Sequence, residues 1–151
     1  MIVPINTIDD PAALSILKMK AIEMPTWKAD DEIIVNLLDT ANSVETAAGL
    51  ASNQIWKQVT QPPAAFALHA NDNWIVLLNP RIINFGGPRL MHVEECLSLP
   101  GQKAAVPRRG RVTLTYLLPG QPKVLHTTTF TDYSAMVVQH EMDHLRGKLI
   151  K

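Results

Sequence analysis

Apolar side chains recur at helical spacing in two stretches of the chain, and between them they alternate with polar ones. Ile33, Ile34, Leu37, Leu38, Ala41 and Val44 fall on one helical face. Asp30 can cap that helix, Asp31 and Glu32 suit its first turn, and Gly49 is the expected stop. Before it, residues 1–11 read as extended. Asp10-Pro11 opens a short helical turn that Leu14, Ile16 and Leu17 can pack, and Pro25 ends the region. Strands are expected at 64–68 and 74–78 around the turn Asn71-Asp72-Asn73, and at 81–85, closed by Gly86-Gly87-Pro88. Residues 89–93 lead into Glu94-Glu95-Cys96-Leu97-Ser98, and Leu99-Pro100-Gly101 is the next expected turn. Val112, Leu114 and Tyr116 alternate with polar residues, as does 124–130 less cleanly, with Pro119-Gly120-Gln121-Pro122 turning between them.

The second helical stretch starts at Thr131 or Asp132, either of which can cap it. Tyr133, Met136, Val137, His140 and His144 share one face; Ala135, Val138, Met142 and Leu145 share another. Asp132, Gln139, Asp143 and Arg146 form a polar stripe between. Two apolar faces predict a helix enclosed by the strands. The order predicts an α+β fold: antiparallel strands around a central C-terminal helix, with an N-terminal helix.

Composition narrows the class. The 151 residues make one domain, 1–151, and 46% are hydrophobic, enough for a core but too interrupted for a membrane span. Formal net charge is zero, so neither direct nucleic-acid recognition nor a membrane surface is expected. The single cysteine, Cys96, rules out a disulfide framework within the chain and points to a reducing compartment. The first eleven residues lack the basic and apolar runs of a signal peptide.

The closing helix carries the chemistry. His140-Glu141-Met142-Asp143-His144 is H-E-x-x-H, which sets two imidazoles one turn apart on one face. Glu141 falls beside them, placed to take a proton from a metal-bound water. A third ligand is needed. Gly147 follows the motif as in one extended class, but Ile150 stands where that class has its third histidine, so the ligand is sought upstream. Cys96, His69, His92, His126, Glu94 and Glu95 are the candidates. Cys96 leads, because a thiolate with two neutral imidazoles leaves an open fourth position on zinc or ferrous iron. A lone cysteine is otherwise more often a small apolar residue. Tyr133, Met136 and Val137 read equally as core or as the wall of a substrate pocket.

Three segments together resemble the peptide deformylase family. Gln139-His140-Glu141-Met142-Asp143-His144-Leu145-Arg146-Gly147 is similar to its Q-H-E-x-D-H-L-x-G. Glu94-Glu95-Cys96-Leu97-Ser98 resembles E-G-C-L-S, and Gly49-Leu50-Ala51-Ser52-Asn53-Gln54 resembles the latter part of G-x-G-x-A-A-x-Q. The resemblance implies hydrolysis of the N-terminal formyl group from formyl-methionine of nascent polypeptides. It implies one divalent metal ion on Cys96, His140 and His144: Fe2+ natively, with Zn2+, Ni2+ or Co2+ able to substitute. It makes Glu141 the general base, and Gln54 and the Leu97 backbone N–H the donors to the formyl oxygen. Ala48, Gly49 and Glu95 would pair with the substrate backbone, while Leu50, Tyr133, Met136, Val137 and the His140 ring would bound the methionine pocket. The implied protein is a cytoplasmic monomer whose partners are formyl-methionyl peptides and the ribosome. The chain stops just after the motif, without the family's usual C-terminal docking extension, and in that respect is similar to phage-encoded forms, for which the host cytoplasm is the place of action.

Four positions depart from the family pattern. Ala47 replaces the first glycine of the glycine-rich motif and Ser52 its second alanine. Glu95 replaces the glycine before the cysteine; it is strained if that position needs φ > 0, and otherwise puts a carboxylate at the cleft mouth. Lys103 stands where many members have arginine and lacks its forked geometry. The alternatives are a related metal amidase or peptidase with altered selectivity, and a non-catalytic binding module, which the intact Gln54, Cys96 and Glu141 argue against.

Overall fold

The computed structural model describes residues 1–150. Its elements are α1 (Pro11–Leu17), α2 (Glu32–Ser43), β1 (Gly49–Ala51), a single 3-10 turn (Ser52–Gln54), β2 (Ala65–Ala70), β3 (Asn73–Cys96), β4 (Leu99–Leu118), β5 (Gln121–Thr131) and α3 (Asp132–Leu145). The strands form one sheet in the order β1-β2-β3-β4-β5, every neighbouring pair antiparallel. The α+β expectation holds. No helix among the described residues is long and apolar enough to cross a membrane.

The sheet's central part is buried on both faces, and the period-2 alternation of strands decides what each face meets. Phe66 and Leu68 of β2 and Leu77 of β3 join Val112, Leu114 and Phe130 in a core with Ala135, Val138, Met142 and Leu145 of α3. Ala65, Ala67, Val76 and Leu78 point the other way, onto Ile34, Leu37 and Ala41 of α2 with Trp27 and Leu50. So α3 is enclosed, as its two apolar faces require, and α2 covers the opposite face. A third cluster, Cys96 with Leu99 and Ile150, closes the far end of β3.

Local signals mark several elements correctly. Asp10 caps α1 by accepting from the Ala12 N–H at 3.0 Å. Asn71 and Asp72 take φ of 51° and 63° in the two-residue β2–β3 turn, as a tight hairpin of that type requires. Other boundaries differ from expectation. The N-cap of α2 is Asp31, not Asp30, and its carboxylate accepts from Lys28 N instead of capping. The helix ends at Ser43, and Gly49 opens β1 instead of stopping α2. Gly86-Gly87-Pro88 does not close a strand: β3 runs on through it, and a bulge between Gly86 and Arg89 absorbs the irregularity. The turn into β4 is Leu97-Ser98, because Cys96 pairs directly with Leu99; Pro100 and Gly101 lie inside β4.

Candidate metal centre

Two elements bring the motif residues together. One turn of α3 separates His140 from His144, whose ring centroids are 5.0 Å apart. The tight turn after β3 drives Cys96 against them, with Sγ 3.2 Å from His144 Nε2. Cys96, His140 and His144 each offer one donor atom, all within 4.8 Å of one another, and all three are buried. A sulfur and two imidazole nitrogens at this spacing suit a borderline divalent ion.

Each neighbour of this cluster has a structural cause. Gln54 sits on the 3-10 turn, its Oε1 accepting from Ala51 N at 2.9 Å. Its Nε2 donates to Ser98 Oγ at 3.1 Å and lies 3.8 Å from Cys96 Sγ. The extended N-terminal segment clamps both supports, since Asn6 N donates to Gln54 O and Ile8 N to Ser98 O. Glu141 is buried, and its Oε1 has no hydrogen-bond partner within the protein. Its other oxygen lies so close to Gly49 that a Cβ there would sit 2.5 Å from it. This approach, not helix termination, is what Gly49 serves. An orphaned buried carboxylate oxygen beside three converging donors fits a site that a metal ion and a water molecule complete.

The electrostatics follow from burial. Burial pushes the Glu141 carboxyl up to about 7 and the His144 imidazole down to about 3. Burial also opposes a charge on His140, but the Cys96 sulfur and the Glu94 carboxylate outweigh it and raise the ring to about 10 in the metal-free protein. Glu94 Oε1 receives His140 Nδ1 at 2.8 Å, which leaves Nε2 as the ring nitrogen for a ligand role. Against its own burial, Glu94 is held at about 2 by Arg108, which grips it with Nε at 2.8 Å and Nη2 at 2.7 Å, and by His140. Arg108 Nη1 then reaches Asp143 at 2.6 Å.

The supporting residues were the ones sequence reasoning missed. Glu94 is among the ligand candidates, but its carboxylate accepts from His140 Nδ1 and is held by Arg108. Asp143 and Gln139 were assigned to a polar stripe. They bond to β4: Asp143 to Arg108, and Gln139 to the Arg109 backbone in both directions, at 2.8 and 2.9 Å. Ser98 sits in the quoted motif, but nothing in the sequence marks Arg108. Of the remaining ligand candidates, His69 lies beside Trp74 and His126 on Tyr116, away from the cluster. His92 is half-buried on β3.

A cleft of about 680 Å3 opens onto the cluster. Ala48, Gly49, Gln54, Glu95, Leu97, Tyr133, Met136, Val137, His140 and Glu141 all line it. Val137 and, at its edge, Met136 also join the α3 core, whereas Tyr133 is 64% exposed and is no part of it, which corrects the core reading at that position. Leu50 does not line the cleft. The alternation of β1 turns it to the opposite face, fully buried in the α2 core, which corrects its expected place in the methionine pocket. Glu95 keeps φ < 0, so it is unstrained; it is exposed at the mouth, 3.4 Å from Lys103, its partner across the β3–β4 pair.

Comparisons with known proteins agree with this geometry. The family model for polypeptide deformylase matches residues 2–151. The peptide deformylase of Chlorobaculum tepidum is 35% identical over 99% of this chain and 78% of its own length. A class I type b peptide deformylase from Acinetobacter baumannii superposes with a TM-score of 0.82 at 25% identity, covering 99% of this chain and 97% of that one. The deformylase of a Vibrio parahaemolyticus bacteriophage, solved in complex with actinonin, superposes at 0.80 and 25% identity over 98% of this chain and 100% of its own. The chain thus belongs to the peptide deformylases, the metal-dependent hydrolases that take the formyl group off the N-terminus of nascent peptides.

Proposed function

We propose that Cys96, His140 and His144 hold the divalent ion, natively Fe2+ with Zn2+, Ni2+ or Co2+ as substitutes, and that Glu141 is the general base. When bound, the ion supplies Lewis-acid polarisation and makes water a nucleophile near neutral pH. The observation that carries the reading is the pairing of three donors within 4.8 Å with a buried, unpartnered Glu141 oxygen beside them. Buried beside the donors, with burial favouring its protonated form and one oxygen unpartnered, Glu141 is suited to take a proton from the attacking water and return it to the departing amine. Gln54 Nε2 and the Leu97 N–H donate to the formyl oxygen as negative charge grows there. The Ser98 and Ala51 contacts support the Gln54 role, because they fix its amide before substrate arrives.

The substrate backbone lies between two unpaired strand edges. β1 is an edge strand that pairs only with β2, and the Glu95 end of β3 pairs only with β4. An extended peptide there adds a strand between Ala48-Gly49 and Glu95. Its methionine side chain rests on Tyr133, Met136, Val137 and the His140 ring. Residues 1–151 work as one domain, a monomer in the cytoplasm, on chains emerging from the ribosome.

The test is formate release from a formyl-methionyl tripeptide by protein loaded with Fe2+ or Ni2+. Glu141→Ala should keep one metal per chain and lose activity by roughly 10²- to 10⁴-fold. Cys96→Ala should lose the metal itself. Metal bound by wild type without formate release, together with cleavage of unformylated peptides, would establish the amidase or peptidase reading instead.

A further inference from the structure

We infer that a second cleft, which shares no lining residue with the one at the metal centre, is a binding site for a single strand of RNA. It is a cleft of about 430 Å3 between the β3–β4 ribbon and the C-terminal end of α3, lined by Phe85, Arg89, Arg109, Arg146 and Lys148 among others. Nothing in the deformylase chemistry above uses these residues, and the inference stands independently of the roles proposed there.

The zero net charge conceals a separation. Residues 1–72 hold nine acidic and four basic side chains, and residues 73–151 hold five acidic and ten basic. Of the five acids in the second part, Glu94 is buried against Arg108, Glu95 pairs with Lys103, Glu141 is buried, Asp143 lines this second cleft but is bonded to Arg108, and Asp132 is exposed at the start of α3, outside the cleft. Arg89, Arg109, Arg146 and Lys148 are exposed, and among the described residues none of them has a carboxylate within 4.0 Å.

Arg89 and Arg109 are also direct cross-strand partners, the pair that follows the Gly86–Arg89 bulge. Like charges placed opposite each other weaken a sheet, so this arrangement does not serve the fold. It makes sense as a place where anionic oxygens belong. Three of the four free cations are arginines, whose forks match phosphate oxygens in pairs. Phe85 is 45% exposed in the same cleft, a flat apolar ring among cations. Guanidinium groups for phosphates beside an aromatic platform for a base are the ingredients of single-strand recognition. A lipid surface fits less well, because the site is recessed and arginine-rich where membrane-binding patches protrude and snorkel.

Fluorescence anisotropy with a labelled uridine dodecamer, titrated with metal-loaded protein, tests this. Four phosphate contacts give a log Kd against log salt slope of up to about 2.8, a loss of roughly fifty-fold between 50 and 200 mM salt. Arg89→Gln/Arg109→Gln should halve the slope, to a loss of roughly seven-fold. Phe85→Ala should weaken binding about ten-fold with the slope unchanged. Formate release from a free tripeptide should not change in either variant. The double variant should melt no lower than wild type, because a repulsive pair is removed; a lower melting point would mean the arginines are structural and would overturn the proposal. So would a wild type that binds no RNA at 50 mM salt, a slope that the double variant leaves unaltered, or tighter binding to uridine monophosphate or to phosphatidylserine vesicles than to the strand.

Discussion

Gly49→Ala puts the arrangement of Glu141, the proposed general base, to the test. A Cβ at this position would lie 2.5 Å from Glu141 Oε2, 2.9 Å from its Cγ and 3.0 Å from its Cδ. Favourable non-bonded separations are about 3.5 Å or more, so the carboxylate must move by about 1 Å. It can do so without moving α3, because the clash is with a side chain and no hydrogen bond holds Oε1. A displacement of that size at a reacting group costs about 10²-fold, or about 2.7 kcal/mol of transition-state stabilisation. Folding should lose about 1–3 kcal/mol from overpacking. The expected result is a kcat near one hundredth of wild type with metal content unchanged, read by coupled formate release and by elemental analysis of the same sample. Gly49 also lines the cleft at the proposed peptide edge, so a blocked peptide would appear instead as raised KM at preserved kcat. The cycle with Glu141→Ala separates these. If Gly49 acts through Glu141, Gly49→Ala/Glu141→Ala is no slower than Glu141→Ala alone. Full activity of Gly49→Ala, or multiplied losses in the double variant, would refute the close-approach argument.

Two further outcomes follow from the supports of the site. Gly147 has φ of +75°, and a Cβ there would meet backbone at 2.3 Å from Lys18 O and 2.7 Å from Lys18 C. Gly147→Ala should therefore cost about 3 kcal/mol, roughly 6–12 °C in melting temperature, with activity per folded molecule retained; an unchanged melting curve would contradict it. Arg108→Met leaves Glu94 buried without its cation and should cost about 3–5 kcal/mol in urea unfolding, part of which Glu94→Gln/Arg108→Met recovers. The pH dependence has the same origin. Glu94 is held at about 2 against an ordinary 4.5, so its stabilisation is complete above 4.5 and disappears as pH falls toward 2. Metal-free wild type should lose stability across that window, and Arg108→Met should lose less.

The legible parts of this protein are those whose cause lies within a few residues. The helical spacing of His140 and His144, the faces of α3, the Asp10 cap and the Asn71-Asp72 turn each depend on neighbours in sequence, and each is where the pattern puts it. Where the cause is distant, the same residues were given local reasons. Gly49 looked like a helix stop because α2 precedes it; its actual constraint is Glu141, 92 positions later. Gly86-Gly87-Pro88 looked like a turn because only β4, pairing across it, shows that the strand continues. Gln139 and Asp143 read only as part of a polar stripe because their partners, Arg109 and Arg108, lie on β4, 30 and 35 residues earlier. Leu50 was carried to the methionine pocket by its place in a motif, whereas the pleat of a three-residue strand turns it the other way. The pattern has a physical reason. A motif records which residue types a reaction needs, while the second layer that holds them is selected by whatever surface folding brings alongside. Arg108 shows this most clearly. One side chain, unmarked in sequence, neutralises Glu94, braces Asp143 on α3 and reaches the wall of the cationic cleft. Arg108 pairs with Leu90 just past the Gly86–Arg89 bulge, so a change to that bulge should be felt at Glu94 and in the cationic cleft at once.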